Sequence, residues 1–155
     1  MFDMKLSQFL DESRKVAAAA HRATVLSLRK TAYAIFRDVQ ASIVTVPVSL
    51  SGLPRNKMQR LFALRARRKE AEASPNQPPH TRHGRIRAAE RYDVDPASET
   101  AVIGPRRSVA GILMHVEEFG GEFKGARYPA RPSIGPALDR QKGLLLAELD
   151  SRIGS

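Results

Sequence analysis

Apolar side chains recur at three- and four-residue steps from Leu6 to Val39, and neither glycine nor proline interrupts the run. This spacing puts the apolar residues on one helical face and predicts a single long helix over residues 1–40. At 1.5 Å per residue the helix is about 50 Å long, longer than a domain of this size needs for its own core. We therefore expect part of the helix to pack on a neighbouring chain.

The segment after this helix, residues 42–84, is basic and variable in pattern. Ser42–Val48 is rich in β-branched residues but contains proline, which predicts an edge strand or an extended connector. Pro54–Ala73 fits a short amphipathic helix in its first half and a strand in its second, so both alternatives stay open. Residues 73–81 are rich in turn formers and contain no apolar side chain larger than alanine. This composition predicts an exposed, mobile loop over residues 73–83.

Alternation of side chains predicts a hairpin next. From Arg85 to Val94 the residues alternate between an apolar face and a basic face, and Glu90 is the single exception to this pattern. Asp95-Pro96-Ala97-Ser98 then turns the chain into a second short strand, Thr100–Ile103.

Two helices complete the predicted fold. Apolar residues of Val109–Val116 fall on one helical face. Gly120 and Gly121 then allow the left-handed backbone conformation that commonly ends a helix. A final helix from about Ser133 to Ile153 carries Pro136 in its first turn, where proline is tolerated. Residues 1–155 therefore predict one α+β domain with a long N-terminal helix, a small antiparallel sheet, one middle helix, and a C-terminal helix packed on the sheet. Residues 85–155 hold the hairpin, the middle helix, an Arg-Pro arm and the last helix.

The charge of the chain is strongly positive and unevenly placed. The net charge is +10, and Arg55 to Arg91 contains eleven basic residues against three acidic ones. Such clusters contact nucleic acid phosphates or an acidic partner, or form a solvated face. Cysteine is absent, which excludes a disulfide framework and thiolate chemistry. The apolar patch Val16–Ala20 is too short and too closely flanked by charge for a signal peptide or a membrane span.

Two motifs in the last third follow one another in a distinctive order. His115–Gly121 reads His-Val-Glu-Glu-Phe-Gly-Gly, and Ala126–Leu138 reads Ala-Arg-Tyr-Pro-Ala-Arg-Pro-Ser-Ile-Gly-Pro-Ala-Leu. This order resembles the head-to-tail joining (neck) and tail-completion proteins of long-tailed bacteriophages, which carry a His-Glu-Phe-Gly-like element, an Ala-Arg-Pro-Phe-like segment and a closing helix. Val116 interrupts the first element here, and Ser133 stands where an aromatic residue is usual.

The resemblance implies a non-enzymatic structural protein of the virion, with no cofactor and no metal. Such a protein forms a homo-oligomeric ring in the neck or at the head-proximal end of the tail, and completes the tail or joins it to the head. The implied partners are the connector, stopper and tail-terminator proteins of the same particle, with non-specific contact to packaged DNA and none to a membrane. The protein is then found in the virion, and in the host cytoplasm during assembly.

The motifs also supply candidate site residues. The Arg-Pro arm either threads the edge of its own domain or reaches onto an adjacent subunit, and in the second case the contact residues are Arg127, Tyr128, Arg131 and Pro132. The residues with a structural role in the motif are His115, Glu118, Phe119, Gly120, Gly121 and Pro136. The candidates for contact with DNA or an acidic partner are Arg65, Arg67, Arg68, Arg85 and Arg87.

Three other functions have weaker sequence support. A small basic protein that binds DNA without sequence specificity is the main alternative, although no known DNA-reading motif accompanies the charges. His115 and Glu118 share a helix face, but a metal site needs a third ligand. Asp95 with Glu122-Phe123-Lys124 resembles a metal-nuclease pattern, but that pattern requires neighbouring strands, and a helix intervenes here.

Overall fold

The computed structural model describes residues 6–153, except for the side chains of residues 110 and 111. Helix α1 runs from Leu6 to Ser42, which is 37 residues and about 55 Å at the usual rise per residue. The prediction of one long N-terminal helix is confirmed from Leu6 onward, while its predicted residues 1–5 lie outside the described part of the chain.

Short helices and two hairpins follow α1. In chain order they are α2 (Lys57–Glu70), α3 (Arg85–Ala89), β1 (Glu90–Asp95), β2 (Thr100–Pro105), α4 (Arg107–Phe119), β3 (Gly121–Phe123), β4 (Ala126–Tyr128) and α5 (Ile134–Ile153). β1 pairs with β2 and β3 with β4, each as a two-stranded antiparallel sheet. The predicted α+β class is confirmed, with its strands divided between two hairpins.

Helix α5 lies antiparallel to the C-terminal part of α1. Asp38 of α1 accepts a hydrogen bond of 2.8 Å from Arg140 near the start of α5. Lys30, two turns earlier in α1, pairs with Glu148 near the end of α5. The hydrogen bond from Arg140 lowers the pKa of the Asp38 carboxyl below its usual value. Because α5 ends at Ile153, the part of α1 before about residue 20 extends beyond it.

The core lies where the C-terminal end of α1 meets the start of α5. Its buried cluster consists of Ile35, Val39, Ile43 and Ala137. Ile134 of α5 and Ile103 of β2 pack against this cluster, so the first turn of α5 reaches the β1–β2 hairpin. Residues from three separate parts of the sequence therefore share one apolar core.

The β1–β2 hairpin packs along α1. The Tyr92 ring lies 5.3 Å from the ring of Phe36, centroid to centroid. At the tip of the hairpin, the Glu99 carboxylate is 2.7 Å from Nδ1 of His21. The hairpin thus covers α1 from Phe36 back to His21, and leaves the preceding turns of α1 uncovered.

The predicted strand from Arg85 is wrong at its beginning. Arg85–Ala89 forms the short helix α3, and β1 starts at Glu90, directly opposite Pro105 at the end of β2. The last backbone hydrogen bond of this pairing joins the amide of Arg106 to the carbonyl of Ala89 at 2.9 Å. The opposite chain then enters α4 at Arg107, so the residues before Ala89 have no strand to pair with. The second predicted strand is confirmed and extends to Pro105.

The segment that the sequence left undecided is helical. Asn56 begins α2, and its side-chain oxygen accepts hydrogen bonds from the backbone amides of Met58 (2.9 Å) and Gln59 (3.3 Å). This is the usual geometry of an N-cap, which satisfies amides that lack a partner in the first turn. The helix over Val109–Val116 and the last helix are confirmed within their observed bounds.

The loop over residues 73–83 is less exposed than predicted. Ala73, Pro79 and Thr81 are buried. The amide of Thr81 donates to the carbonyl of Val44 at 2.9 Å, and the amide of Val46 donates to the carbonyl of Thr81 at 2.8 Å. The connector after α1 therefore supplies the backbone partners that the sequence of the loop itself does not reveal.

The C-terminal end of α1 should carry a large share of the stability. Ile43 has no exposed side-chain surface, whereas its neighbour Val44 is half exposed. Ile43→Ala should lower the free energy of unfolding by about 2–4 kcal/mol, because it leaves a cavity in the core. Val44→Ala should change it by less than about 1 kcal/mol. Urea unfolding of both variants checks this, and equal losses would place the core elsewhere.

Candidate assembly site

The second motif is fastened to α4 by a buried ion pair. Arg131 is 8% exposed, and its guanidinium donates to Oε2 of Glu117 at 3.2 Å and to the carbonyl of Ala73 at 2.9 Å. A second carboxylate oxygen, from Glu72, lies 3.5 Å from the guanidinium. The backbone amide of Arg131 also donates to the carbonyl of Glu117. One arginine therefore joins the arm to α4 and to the segment that follows α2.

Glu118 caps the last helix from across the fold. Its Oε2 accepts hydrogen bonds from the amides of Ser133 (2.7 Å) and Ile134 (3.1 Å), and its Oε1 accepts from the amide of Gly135 (2.7 Å). The amides of Ile134 and Gly135 belong to the first turn of α5, and the amide of Ser133 directly precedes it. At this end of a helix the geometry leaves donors without partners, and the helix dipole favours negative charge. The two adjacent acids of the first motif thus bind two successive parts of the second motif.

Glycines permit the close approach of these segments. Gly120 has φ 74°, and a Cβ atom there would lie 3.2 Å from the amide nitrogen of Ala130. A Cβ atom on Gly135 would lie 3.3 Å from Oε1 of Glu118. Gly120 therefore ends α4 and allows the arm to cross it, which the motif predicted as a structural role for this residue.

The chain from the last residue of the first motif to the start of the second motif forms the β3–β4 hairpin, which the sequence did not predict. Lys124 and Gly125 connect the strands with φ values of 51° and 73°. Positive φ at both central residues is typical of a type I′ turn, which suits the twist of a two-residue hairpin. The Lys-Gly pair between two short strands was the available signal.

Glu90 is a buried carboxyl without a hydrogen-bond partner among the described residues. It is 0% exposed, and neither of its side-chain oxygens is bonded. Burial, helped by the nearby negative charge of Glu118, raises the pKa of Glu90 to about 7. The sequence marked this residue as the single exception to the alternation, at a position in step with the apolar residues. The structure agrees with that position, because β1 begins inside the core and the Glu90 side chain is buried.

An apolar groove of about 430 Å³ lies beside the Glu118 cap. It is lined by the end of β2, the last two turns of α4 and the first turns of α5. Phe119 is 71% exposed at its edge, and its ring lies 5.0 Å from that of His115. Leu138 on α5 is half exposed in the same groove. Residues of the motif therefore form the wall of an apolar surface depression.

A second apolar surface lies at the opposite end of α1. Residues 6–22 of α1 are exposed along their whole length, including Phe9 at 56% and Val16 at 68%. Phe9, Val16 and Ala20 lie on one face of the helix. Further along α1 the same face carries Ala23 and Ser27, and both are buried. We call residues 6–20 the α1 overhang. Its apolar face continues the face that is covered within the chain.

The structure places the arm candidates in different environments. Arg131 is used inside the chain, so its predicted role as an interface residue does not fit its burial. Arg127 is exposed on β4, whereas Tyr128 and Pro132 are partly buried. Pro136 occupies the first turn of α5 as predicted, and Gly121 begins β3. The arm thus threads the edge of its own domain, which was one of the two alternatives.

The five basic candidates do not form one surface. Arg67 donates from its guanidinium to the carbonyls of Ser49 and Ser51, both at 2.8 Å, and so fixes the connector to α2. Arg65 is exposed elsewhere on α2. Three candidates come from α2 and two from α3: Arg65, Arg67, Arg68, Arg85 and Arg87. Arg68 and Arg85 line a common cavity, and Arg87 is exposed.

The residues of the metal and nuclease hypotheses are not brought together. Asp95 ends β1, whereas Glu122 lies on β3 of the other sheet. Lys124 is positioned over the ring of Phe123, 5.4 Å from its centroid. Glu118 is engaged with α5. Within residues 6–153, no group of three or more histidine, aspartate or glutamate side chains has the arrangement of a metal site.

Comparisons with known proteins add no family: no protein-family model, curated protein or solved structure matches the chain. In the described part of the chain, no helix is both long and apolar enough to cross a membrane.

The Glu118 cap can be tested by an isosteric change. Glu118→Gln retains one acceptor oxygen but turns an amide group toward donors of α5, so the free energy of unfolding should fall by about 1–3 kcal/mol. Glu122→Gln, at an exposed position of β3, should have little effect. Thermal and urea unfolding of both variants measures this. A loss no larger than that of the control would refute the capping role.

The buried carboxyl of Glu90 should make stability depend on pH. Its pKa is raised from 4.5 to about 7, so the folded state binds the proton more tightly. The stabilising contribution is complete below about pH 4.5 and is lost as the pH rises through about 7. Its full size is on the order of 3 kcal/mol.

Glu90→Gln removes the titration, and it should gain stability relative to the wild type between pH 5 and 8. Urea unfolding at several pH values gives the difference between the two proteins. Parallel profiles for both would show that Glu90 does not titrate in this range.

Proposed function

We propose that the protein is a non-enzymatic structural protein of a tailed phage particle. In this proposal it forms an oligomeric ring in the neck or at the head-proximal end of the tail, and it is needed for tail completion and head-to-tail joining. The motif order in residues 115–138 suggests the kind of particle. The α1 overhang carries the assembly part of the proposal, because its apolar face has no cover within the described chain.

The fold leaves two unlike apolar surfaces at the two ends of α1. The groove beside Glu118 lies near the C-terminal end of α1, since α5 starts there. The overhang lies at the other end, more than about 25 Å away along the helix axis at the rise of an α-helix. A ring built head to tail requires two different contact surfaces on each subunit. This separation therefore supports a ring in which the overhang of one copy meets the groove of the next.

The motif has a supporting role in this proposal. Glu117 and Glu118 hold the arm and α5 in fixed positions, and the groove is formed by these same segments. Buried polar networks that are fully paired make a local structure rigid. A rigid wall favours docking because less conformational freedom is lost on association.

The alternative is a small basic protein that binds DNA without sequence specificity. It is favoured by α2, where several basic side chains form no ion pair with any described residue. These residues are Lys57, Arg60, Arg65 and Lys69. This alternative requires tight, salt-sensitive binding of DNA by a monomer or dimer. The ring proposal requires higher-order assembly and weak binding of DNA.

Electron microscopy of particles that lack the gene tests the proposed function. Filled heads beside detached tails would support a role in joining or completion. Intact joined particles would refute it and favour the DNA-binding alternative. Complementation with the wild-type gene is the control for effects on neighbouring genes.

The overhang gives a matched pair of variants for the assembly step. Val16→Glu puts a charge on the apolar face, whereas Ala18→Glu puts the same charge about 200° around the helix. Val16→Glu should abolish higher-order oligomers and fail to restore joined particles, because the charge must be desolvated in the contact. Ala18→Glu should assemble normally.

Mass photometry of the purified proteins and microscopy of the complemented particles measure both effects. Circular dichroism confirms that each variant folds. Equal assembly of the two variants would show that this face of the overhang is not a contact surface.

A further inference from the structure

A basic cavity lies on the side of the buried Arg131 that faces α2 and α3. Its volume is about 320 Å³, and its walls come from the end of α2, the loop before α3, α3 itself, α4 and β4. The charged part of the wall contains Arg68, Arg82 and Arg85, which come from three different places in the chain. The rest includes apolar side chains, among them Ile86 and Leu113. We call this space the basic cavity.

The cavity has positive charge that is not used by the fold. Its two carboxylates, from Glu72 and Glu117, are both paired with Arg131. Arg68, Arg82 and Arg85 form no ion pair with a described residue. Counting these three with Arg131 against the two acids gives a net charge of +2 with neutral histidines. An anion that enters the cavity therefore meets guanidinium groups that need not give up another partner.

The cavity is formed before any ligand binds. Its loop is fixed by the backbone hydrogen bonds between Thr81 and the connector, and its rear wall by the hydrogen bond from Arg131 to the carbonyl of Ala73. His80 also lines it, with Nδ1 3.1 Å from the carbonyl of Ala71. This contact leaves Nε2 of the ring available for another partner. A preformed site loses little conformational freedom on binding.

Phosphate is the anion that matches these groups best. Guanidinium groups bind phosphate with paired hydrogen bonds, and a phosphate monoester carries close to two negative charges at neutral pH. A volume of about 320 Å³ is at the small end of ligand cavities, so it suits one nucleotide unit rather than a duplex. Tyr128 and the apolar wall offer surfaces for a base.

We propose that the basic cavity binds a phosphate monoester of nucleotide size, with its phosphate held by Arg68, Arg82 and Arg85. The ligand has two sources with the same chemistry, a free mononucleotide or the 5′-phosphorylated end of a DNA strand. Arg65 does not line the cavity, although it lies on α2 one turn before Arg68. Substitutions of Arg65 and Arg68 therefore distinguish binding in the cavity from general attraction of an anion to a basic protein.

Isothermal titration calorimetry with deoxyadenosine 5′-monophosphate tests the site on the whole protein in phosphate-free buffer. We expect saturable binding, and none with deoxyadenosine, which lacks the phosphate. Arg68→Gln and Arg82→Gln should each weaken binding by about tenfold through loss of a charged hydrogen bond. Arg65→Gln should leave it within about twofold, because salt screens an exposed charge away from the ligand.

Competition with trinucleotides identifies the source. If a 5′-phosphorylated trinucleotide displaces the mononucleotide and its 5′-hydroxyl counterpart does not, the site accepts a strand end. If neither displaces it, the site accepts the free nucleotide.

Either of two results would overturn the proposal. The first is no saturable binding of the mononucleotide up to about 5 mM, since any affinity weaker than this is below the useful range. The second is an equal loss of affinity in Arg65→Gln and Arg68→Gln. Neither result depends on ring formation, so the site and the proposed function fail separately.

Discussion

The buried guanidinium of Arg131 is the interaction on which the C-terminal half of the structure depends. It binds Glu117 of α4, the carbonyl of Ala73 after α2 and, at longer range, Glu72. Leaving one member of a buried ion pair alone costs far more than the pair itself contributes. The pair therefore acts mainly by selecting one arrangement of the chain. It fixes which part of the arm crosses α4 and where the loop after α2 ends. The groove and the basic cavity both take their walls from segments that this arginine joins.

A second electrostatic relation connects the motif to the core. Glu118 accepts three amide hydrogen bonds at the start of α5, and helix geometry favours its negative charge there. The same charge disfavours ionisation of Glu90, which is already buried without a hydrogen-bond partner among the described residues. The two neighbouring carboxyls thus differ in role, because Glu118 has hydrogen-bond donors and Glu90 has none within the described part of the chain. The Glu118 cap fixes α5 against α4. The adjoining β1–β2 hairpin holds Glu90 in the core, where its raised pKa makes the carboxyl easier to protonate.

These contacts explain how a small core supports a long helix. The core is concentrated where the last turns of α1 meet the start of α5, and the β1–β2 hairpin extends the cover of α1 only as far as His21. Beyond that point the helix has no tertiary support in the described chain, and isolated helical segments are of marginal stability in water. A neighbouring subunit would supply the missing burial, and this physical need underlies the proposed ring.

Local sequence patterns were enough to predict several elements of the fold. Helical periodicity located α1, α4 and α5, because the spacing of apolar residues reflects which face of a helix is buried. Turn residues located the β1–β2 hairpin, because they mark where the chain reverses direction. The motif order also predicted structural roles for Glu118 and Gly120.

The remaining features depend on contacts between residues that are far apart in the sequence. Whether Arg85–Ala89 could be a strand depended on the length of β2, and whether the loop before α3 was exposed depended on Val44 and Val46 of a distant connector. The partners of Arg131, the burial of Glu90 and the grouping of Arg68 with Arg82 and Arg85 are long-range contacts. No pattern along the chain encodes them, since each depends on which surfaces come together when α5 folds back along α1.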